Sequence, residues 1–268
     1  MTNILTIAGS DTLAGGGLQA DLKTFEALGT FGLSVVTCLA TVQANRQFTI
    51  DNIASETVLT QLDAVLAHVP ITYVKIGLIN DVATLKLIIA RLATEPQLQL
   101  IIDPVLAFKE GTLTPSQSYL EILKTQLLPR ALVVTPNLIE ACQLSGLSQI
   151  TNRTELEQAA TIIRSLGPQN VVIKGGQRLP GQTALDLLQT STSQTYFEGP
   201  RLNTSTVDGA GCTFSAAITA ELAQGQSLEK AVKTAKDYVY QSLQNGIVLR
   251  HQLGNVWQVN HYQKRGCD

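Results

Sequence analysis

Charged residues are scarce in this chain. Only 15% of its 268 residues are Asp, Glu, Lys or Arg, and the formal net charge is −2. With an isoelectric point near 5.9 and no basic run longer than Lys264-Arg265, it lacks the basic face of a general nucleic-acid binder. Cysteine is equally sparse. Cys38, Cys142, Cys212 and Cys267 are scattered, form no CxxC pair and have no histidine at ligand spacing, which argues against a disulfide framework or a zinc site. No stretch approaches the roughly 18 apolar residues of a membrane span. Met1–Ala8 has neither the basic segment nor the long apolar core of a secretory signal. We therefore expect a cytoplasmic protein with no membrane or nucleic-acid partner.

Two nucleotide signatures are missing as well. No GxxxxGK[ST] occurs, so a P-loop is absent. The run GGGLQA at Gly15–Ala20 matches GxGxxA, but six residues separate it from the first apolar strand, Ile4–Ala8. A dinucleotide turn follows its strand immediately, and no acidic residue stands at the end of the next strand to hold a ribose.

What is present is apolar and periodic. At 44% hydrophobic the chain can bury a sizeable core, and its length suits one α/β domain spanning residues 1–268. Strand-like runs alternate with amphipathic helical patterns, as in a mostly parallel sheet with helices on both faces. Ile4–Ala8, Leu33–Leu39, Tyr73–Gly77, Leu98–Asp103, Leu132–Thr135 and Asn170–Lys174 read as strands, the last stopped by Gly175-Gly176. Ala184–Leu188 and Gln194–Glu198 read as a short antiparallel edge hairpin on an otherwise parallel sheet. Helical spacing marks Leu18–Leu28, Glu56–His68, Val82–Leu92, a segment ending near Gly146, Glu155–Leu166, Cys212–Ala223 and Leu228–Gln244.

Ligands of such sheets collect at the carboxyl ends of the strands, where the polar and glycine-rich punctuation falls. The richest of these turns is GAGCTFSAA at 209–217. Gly209, Ala210 and Gly211 can aim backbone N–H groups at an anion ahead of a helix, as a transferring phosphoryl group requires. Cys212 lies within that turn, where a thiol meets positive potential. A plain strand-to-helix turn with no ligand has the same glycines.

Six segments occur in order: GSDTLAGGGLQADLKTF from Gly9, KIGLI from Lys75, DPV from Asp103, TPNLIEA from Thr135, KGG from Lys174 and GAGCTFSAA from Gly209. Together they resemble the ribokinase-fold vitamin kinases that phosphorylate hydroxymethylpyrimidine or pyridoxal, and within them the small bacterial pyridoxal kinases. The resemblance covers about residues 3–245. It implies a single-domain ribokinase-like fold, a homodimer, and transfer of the γ-phosphoryl group of ATP, with Mg²⁺, to a hydroxymethyl group on a nitrogen heterocycle.

Carried over residue by residue, the resemblance assigns Asp11 to the substrate ring and Gly9 and Ser10 to the same pocket, with Leu78 as an apolar wall. Asp103 and Glu140 are implied for Mg²⁺, and Asn137, Lys174, Gly176 and Thr204 for the nucleotide. Gly209, Ala210, Gly211 and Cys212 are implied as the catalytic anion hole, with Cys212 as base or positioning group. Local readings remain beside these. Asp103 suits a turn before Pro104, Asn137 and Glu140 suit a helix cap with an acidic first turn, Lys174 suits a solvated strand end, and Cys212 suits a buried thiol.

Departures from the family pattern are Asp208 where histidine is usual, Ala14 and Gly16 exchanged in the first loop, Leu78 for methionine, and Leu106-Ala107-Phe108 after DPV. Val42 occupies the position where hydroxymethylpyrimidine kinases carry glutamine and pyridoxal kinases an apolar residue. The expectation is a pyridoxal kinase. Hydroxymethylpyrimidine or phosphomethylpyrimidine kinase is the alternative, with Gln43 able to restore the amide by a one-residue shift, and a non-catalytic vitamin or nucleotide sensor is the other class.

Overall fold

The computed structural model describes residues 1–45, 47–106, 115–250 and 254–257. Residues 107–111 of the DPV segment's continuation, Lys264, Arg265 and Cys267 lie outside them. In chain order the strands are β1 Asn3–Asp11, β2 Phe31–Val42, β3 Phe48–Asn52, β4 Tyr73–Ile76, β5 Gln99–Ile102, β6 Ala131–Val134, β7 Asn170–Gly176, β8 Ala184–Gln189, β9 Gln194–Gly199, β10 Ile247–Val248 and β11 Gly254–Asn255. The α-helices are α1 Gly17–Ala27, α2 Ser55–His68, α3 Val82–Ala93, α4 Gln117–Ile122, α5 Leu138–Ser145, α6 Arg153–Ser165, α7 Ala210–Ala223 and α8 Leu228–Gln244. Contacts gather the chain into two compact units, Met1–Leu98 with the chain from Asn203 onward, and Gln99–Leu202.

In the first unit the strands run β3-β2-β1-β4. β1 lies parallel to β2 and β4, and β3 antiparallel to β2. Ile4, Leu5, Thr6, Ile7 and Ala8 are all fully buried. Alternate residues of a strand face opposite ways, so both faces of β1 are covered. Ile4 and Phe25 of α1 form one apolar cluster with Ala216 and Ala220 of α7, which seats the start of α7 beside the end of β1.

The same core holds an ion pair shut off from water. Lys75 Nζ of β4 lies 2.9 Å from both carboxylate oxygens of Asp21 in α1, and neither side chain is exposed. Thr6 Oγ1 donates to Asp21 Oδ2 at 2.6 Å. The three groups satisfy one another, as buried charges must.

In the second unit the order is β5-β6-β7-β8-β9. β5, β6 and β7 are parallel, and β8 and β9 form the expected antiparallel hairpin. Two details differ from the sequence reading. β7 does not stop at Lys174 but continues through the two glycines by a register shift between Lys174 and Gly176. Gly175 permits this, because a Cβ there would sit 2.4 Å from the carbonyl oxygen of Leu185. The β8–β9 hairpin is also not the sole antiparallel addition, since β3 pairs with β2 from Cys38–Asn52 to Val42–Phe48.

Candidate active site

The first unit carries a loop organised by its own carboxylate. Asp11, ending β1, accepts the backbone N–H of Leu13 at 2.9 Å, of Gly15 at 3.1 Å and of Gly16 at 2.8 Å. These amides form the concave turn that elsewhere binds anions, and here a side chain of the chain itself fills it. Gln19 ties the same corner, accepting from the Asp11 N–H at 2.9 Å and donating to Ser10 Oγ at 2.8 Å. Lys23 Nζ donates to the Ala14 carbonyl at 3.0 Å, and burial pulls its pKa down against the raising influence of Asp11. Neither Gln19 nor Lys23 was singled out from the sequence. Their spacing of nine residues from Ser10 and Ala14 crosses a loop and has no periodic signature.

Gly9, Leu78 and Cys38 meet one another. A Cβ on Gly9 would stand 2.7 Å from Cys38 Sγ and 3.2 Å from Leu78 Cδ2, so glycine is demanded by close approach. Leu78 is held by Thr37 Oγ1, which donates to its carbonyl at 2.6 Å. Burial pushes the Cys38 thiol up to about 11, leaving it protonated at neutral pH. At the far end of β2, Thr12 Oγ1 lies 3.2 Å from Thr41 Oγ1. Val42 is half-buried beside them, whereas Gln43 is exposed and its N–H donates to the Gln47 carbonyl at 2.8 Å.

The Gly209 turn stands against the Asp11 loop. Gly209 has φ +85°, and a Cβ there would lie 1.7 Å from the Gly15 carbonyl oxygen. Only glycine fits both the left-handed backbone and that contact. α7 begins at Ala210 with no side-chain cap and no acidic residue in its first turn, which suits a helix start that receives an anion. Cys212 Sγ would be 3.7 Å from a Cβ on Gly16, and Asp11 Oδ2 3.8 Å from it. The structure thus brings Asp11, the Gly209–Cys212 turn and the Gly15-Gly16 step together. Thr204 lies in this unit too, its hydroxyl 2.7 Å from that of Thr206. The other residues implied for the nucleotide belong to the second unit.

There, Asp103 and Lys174 form an ion pair of 2.6 Å, and Thr135 Oγ1 donates to the same carboxylate oxygen at 3.2 Å. Lys174 is therefore not a solvated strand-end lysine, and its side chain is only 13% exposed. Asn137 and Glu140 realise the helix-cap reading. The Asn137 side chain accepts from the N–H groups of Ile139 and Glu140, and Glu140 Oε2 accepts the Asn137 N–H at 2.8 Å. Glu140 Oε1 also accepts from Leu106 N–H at 3.4 Å.

Burial drives the Glu140 carboxyl up to about 7; Lys174 opposes this, and the charge of Asp103 adds to it. Gly176, at φ +49° with open space on its Cβ side, donates its N–H to Asp186 Oδ1 at 3.0 Å. Asp186 is a partner that strand pairing across the β7–β8 hairpin supplies and the sequence alone does not mark.

Among the described residues no cluster of three or more His, Cys, Asp or Glu forms a self-contained metal site. Asp103 and Glu140 nevertheless fit Mg²⁺. They are hard oxygen donors, and the raised pKa of Glu140 marks a buried carboxylate short of positive charge. Two carboxylates with the remaining positions left to phosphate and water is the usual arrangement for that ion. Among the described residues no helix is long and apolar enough to cross a membrane, and Cys38, Cys142 and Cys212 are not in disulfides.

Each unit thus carries parallel strands with polar groups at its strand ends, a glycine-built helix start in the first and a carboxylate–lysine pair in the second, the architecture of an α/β ligand-binding protein. Comparison with known proteins specifies it further. The phosphomethylpyrimidine kinase family matches residues 11–257, and the chain belongs to that family. It is 40% identical over 239 residues to the hydroxymethylpyrimidine/phosphomethylpyrimidine kinase of Haemophilus influenzae, covering 88% of each chain. The ADP complex of Bacillus subtilis pyridoxal kinase superposes with a TM-score of 0.92 at 32% identity, covering 98% of this chain and 99% of that one. Staphylococcus aureus pyridoxal kinase in complex with AMP-PCP and pyridoxal gives 0.89 at 34% identity, covering 97% and 94%. The ribokinase-like vitamin-kinase fold expected from the six motifs stands.

Proposed function

We propose that the chain is a Mg²⁺- and ATP-dependent pyridoxal kinase that forms pyridoxal 5′-phosphate. The observation that carries the substrate choice is the end of β2, where Val42 is half-buried and Gln43 exposed. Val42 offers packing and no hydrogen bond, so the amine and ring nitrogen of a hydroxymethylpyrimidine would go unpaired beside it. Such a loss costs about 1–3 kcal/mol, or roughly tenfold to a hundredfold in preference. The superposition on two pyridoxal kinases supports the same choice. The 40% identity to a hydroxymethylpyrimidine kinase favours the second reading, phosphorylation of that pyrimidine.

In the first unit Gly9, Ser10, Leu78 and Val42 line the acceptor, and Asp11 holds the loop beside it. Cys212, as its thiolate, takes the hydroxymethyl proton and becomes a thiol as the oxygen bonds to the γ-phosphorus. The bond from that phosphorus to the β–γ bridging oxygen breaks, and its electron pair leaves with ADP. Backbone N–H groups of the Gly209–Cys212 turn receive the charge on the transferring oxygens, although that of Ala210 donates to the Val207 carbonyl at 3.3 Å in the structure. In the second unit Lys174 and Gly176 serve the nucleotide phosphates, with Asn137 fixing the Glu140 carboxylate. Asp103 and Glu140 hold Mg²⁺, which when bound offsets the charge of the phosphate oxygens.

The test is kcat/KM for pyridoxal and hydroxymethylpyrimidine measured side by side with Mg²⁺ and ATP, for wild type and Val42→Gln. Pyridoxal should be preferred by wild type, and Val42→Gln should move the ratio toward the pyrimidine by about tenfold. A wild-type preference for the pyrimidine overturns the pyridoxal assignment in favour of the second reading.

A further inference from the structure

A short stretch near the end of the chain, Gly254–Trp257, reaches the catalytic turn from outside the six motifs. The Gly254 carbonyl accepts the Asp208 N–H at 2.9 Å, the Asp208 carbonyl accepts the Val256 N–H at 3.0 Å, and the Trp257 N–H donates to the Ser242 carbonyl at 3.0 Å. β11 is paired with β10, Asn255 opposite Ile247, and Val256 is buried. These backbone bonds fix Asn255 beside the residue that precedes Gly209. Its side chain then crosses to the first loop, Nδ2 donating to the Leu13 carbonyl at 2.7 Å over 242 residues of sequence.

Gly15 is where the two supports meet. On one side a Cβ would lie 2.6 Å from Asn255 Oδ1, and on the other its carbonyl oxygen is the atom that excludes a Cβ from Gly209. The loop also bends through Ala14 at φ +58°, the one non-glycine residue with positive φ among those described. A left-handed alanine is disfavoured in isolation and persists only where neighbours hold it. Asp11 holds the N–H side of this loop, through Leu13, Gly15 and Gly16. On the carbonyl side Lys23 holds Ala14 from α1, and Asn255 holds Leu13 from the side of the Gly209 turn.

We propose that Asn255 is a positioning residue of the phosphotransfer reaction: its amide clamps the Leu13–Gly16 loop against the Gly209–Cys212 turn and so fixes the Cys212 thiol. Its side-chain amide acts through the Leu13 carbonyl it holds. The proposal deepens the kinase reading above and rests on it for its catalytic consequence. Loss of the clamp lets Gly16, the residue lying over Cys212 Sγ, move off the thiol. The turn then receives the transferring group out of register, and sub-ångström to ångström misplacement of that kind costs about tenfold to a hundredfold in rate.

The experiment compares wild type with Asn255→Leu, which keeps the volume and removes the donor, and with Gly15→Ala, which retains the Asn255 amide but displaces it from the loop. Two readouts are taken well below the melting temperature: kcat for pyridoxal, and the rate of iodoacetamide alkylation of Cys212 followed by peptide mass spectrometry. Both variants should lose about tenfold or more in kcat, with KM for ATP within about twofold, and should alkylate at Cys212 about threefold faster or more. A merely structural role lowers the melting temperature and leaves the thiol rate of the folded protein alone.

An unchanged alkylation rate in a folded variant overturns the proposal, and so does an unchanged kcat in a variant whose thiol is uncovered. Should Asn255→Leu fail to fold, Gly15→Ala decides. If wild type phosphorylates neither vitamin, the kinase reading fails, while the alkylation comparison still decides whether Asn255 holds the loop over Cys212.

Discussion

Glu140 shows how one side chain serves both fold and chemistry. Its carboxylate closes the cap of α5 and is buried deeply enough that its pKa rises to about 7. A carboxyl whose folded pKa lies above its unfolded value binds more protons when folded. It therefore contributes stability that is fully present below the unfolded pKa of about 4.5 and lost as pH rises through about 7. In the metal-free protein, urea unfolding should show wild type losing stability relative to Glu140→Gln as pH rises across that window. Added Mg²⁺ should flatten the difference, because a dication at the carboxylate favours its charged form. A pH-independent difference would mean that Glu140 is already ionised in the folded protein.

At the scale of elements, the start of α7 depends on a single glycine. Gly209→Ala combines a left-handed alanine, worth about 1–2 kcal/mol, with a Cβ placed against the Gly15 carbonyl. The expected outcome is a lower melting temperature together with a fall in kcat of about tenfold or more, measured by thermal unfolding and steady-state phosphorylation. Unchanged kcat would show that the turn does not receive the transferring group.

Most elements were legible because burial leaves a periodic trace. The buried, mostly apolar run Ile4–Ala8 of β1 and the helical spacing of Leu18, Leu22 and Phe25 are of this kind. β3 left none, since Phe48–Asn52 is a short edge strand ending in exposed Asp51 and Asn52, and no Asn-Gly or Asp-Gly turn precedes it. The passage of β7 through Gly175-Gly176 was likewise hidden, because it depends on Leu185 across the hairpin. Of the site, sequence motifs pointed to the residues but not to their partners. Asp103 and Lys174 meet across 71 residues, Asn255 and Leu13 across 242, and no local pattern encodes such distances.

For the whole molecule, the sealed trio of Lys75, Asp21 and Thr6 has a consequence for heredity. Removing one member of a buried pair strands the other, at about 3–5 kcal/mol, whereas replacing the set with well-packed apolar groups is often neutral. Lys75→Met alone should destabilise by that amount in urea unfolding. The combination of Lys75→Met, Asp21→Leu and Thr6→Val should recover most of it, and additive losses would show that the groups do not act as a unit. A natural protein holds only about 5–15 kcal/mol in reserve, so each single substitution on this route consumes a large share of its margin. Descendants can then cross from the ionic to the apolar arrangement only through poorly folded ancestors, or by several codons changing together. A change at one of these three buried positions is therefore expected to persist only where the other two change with it.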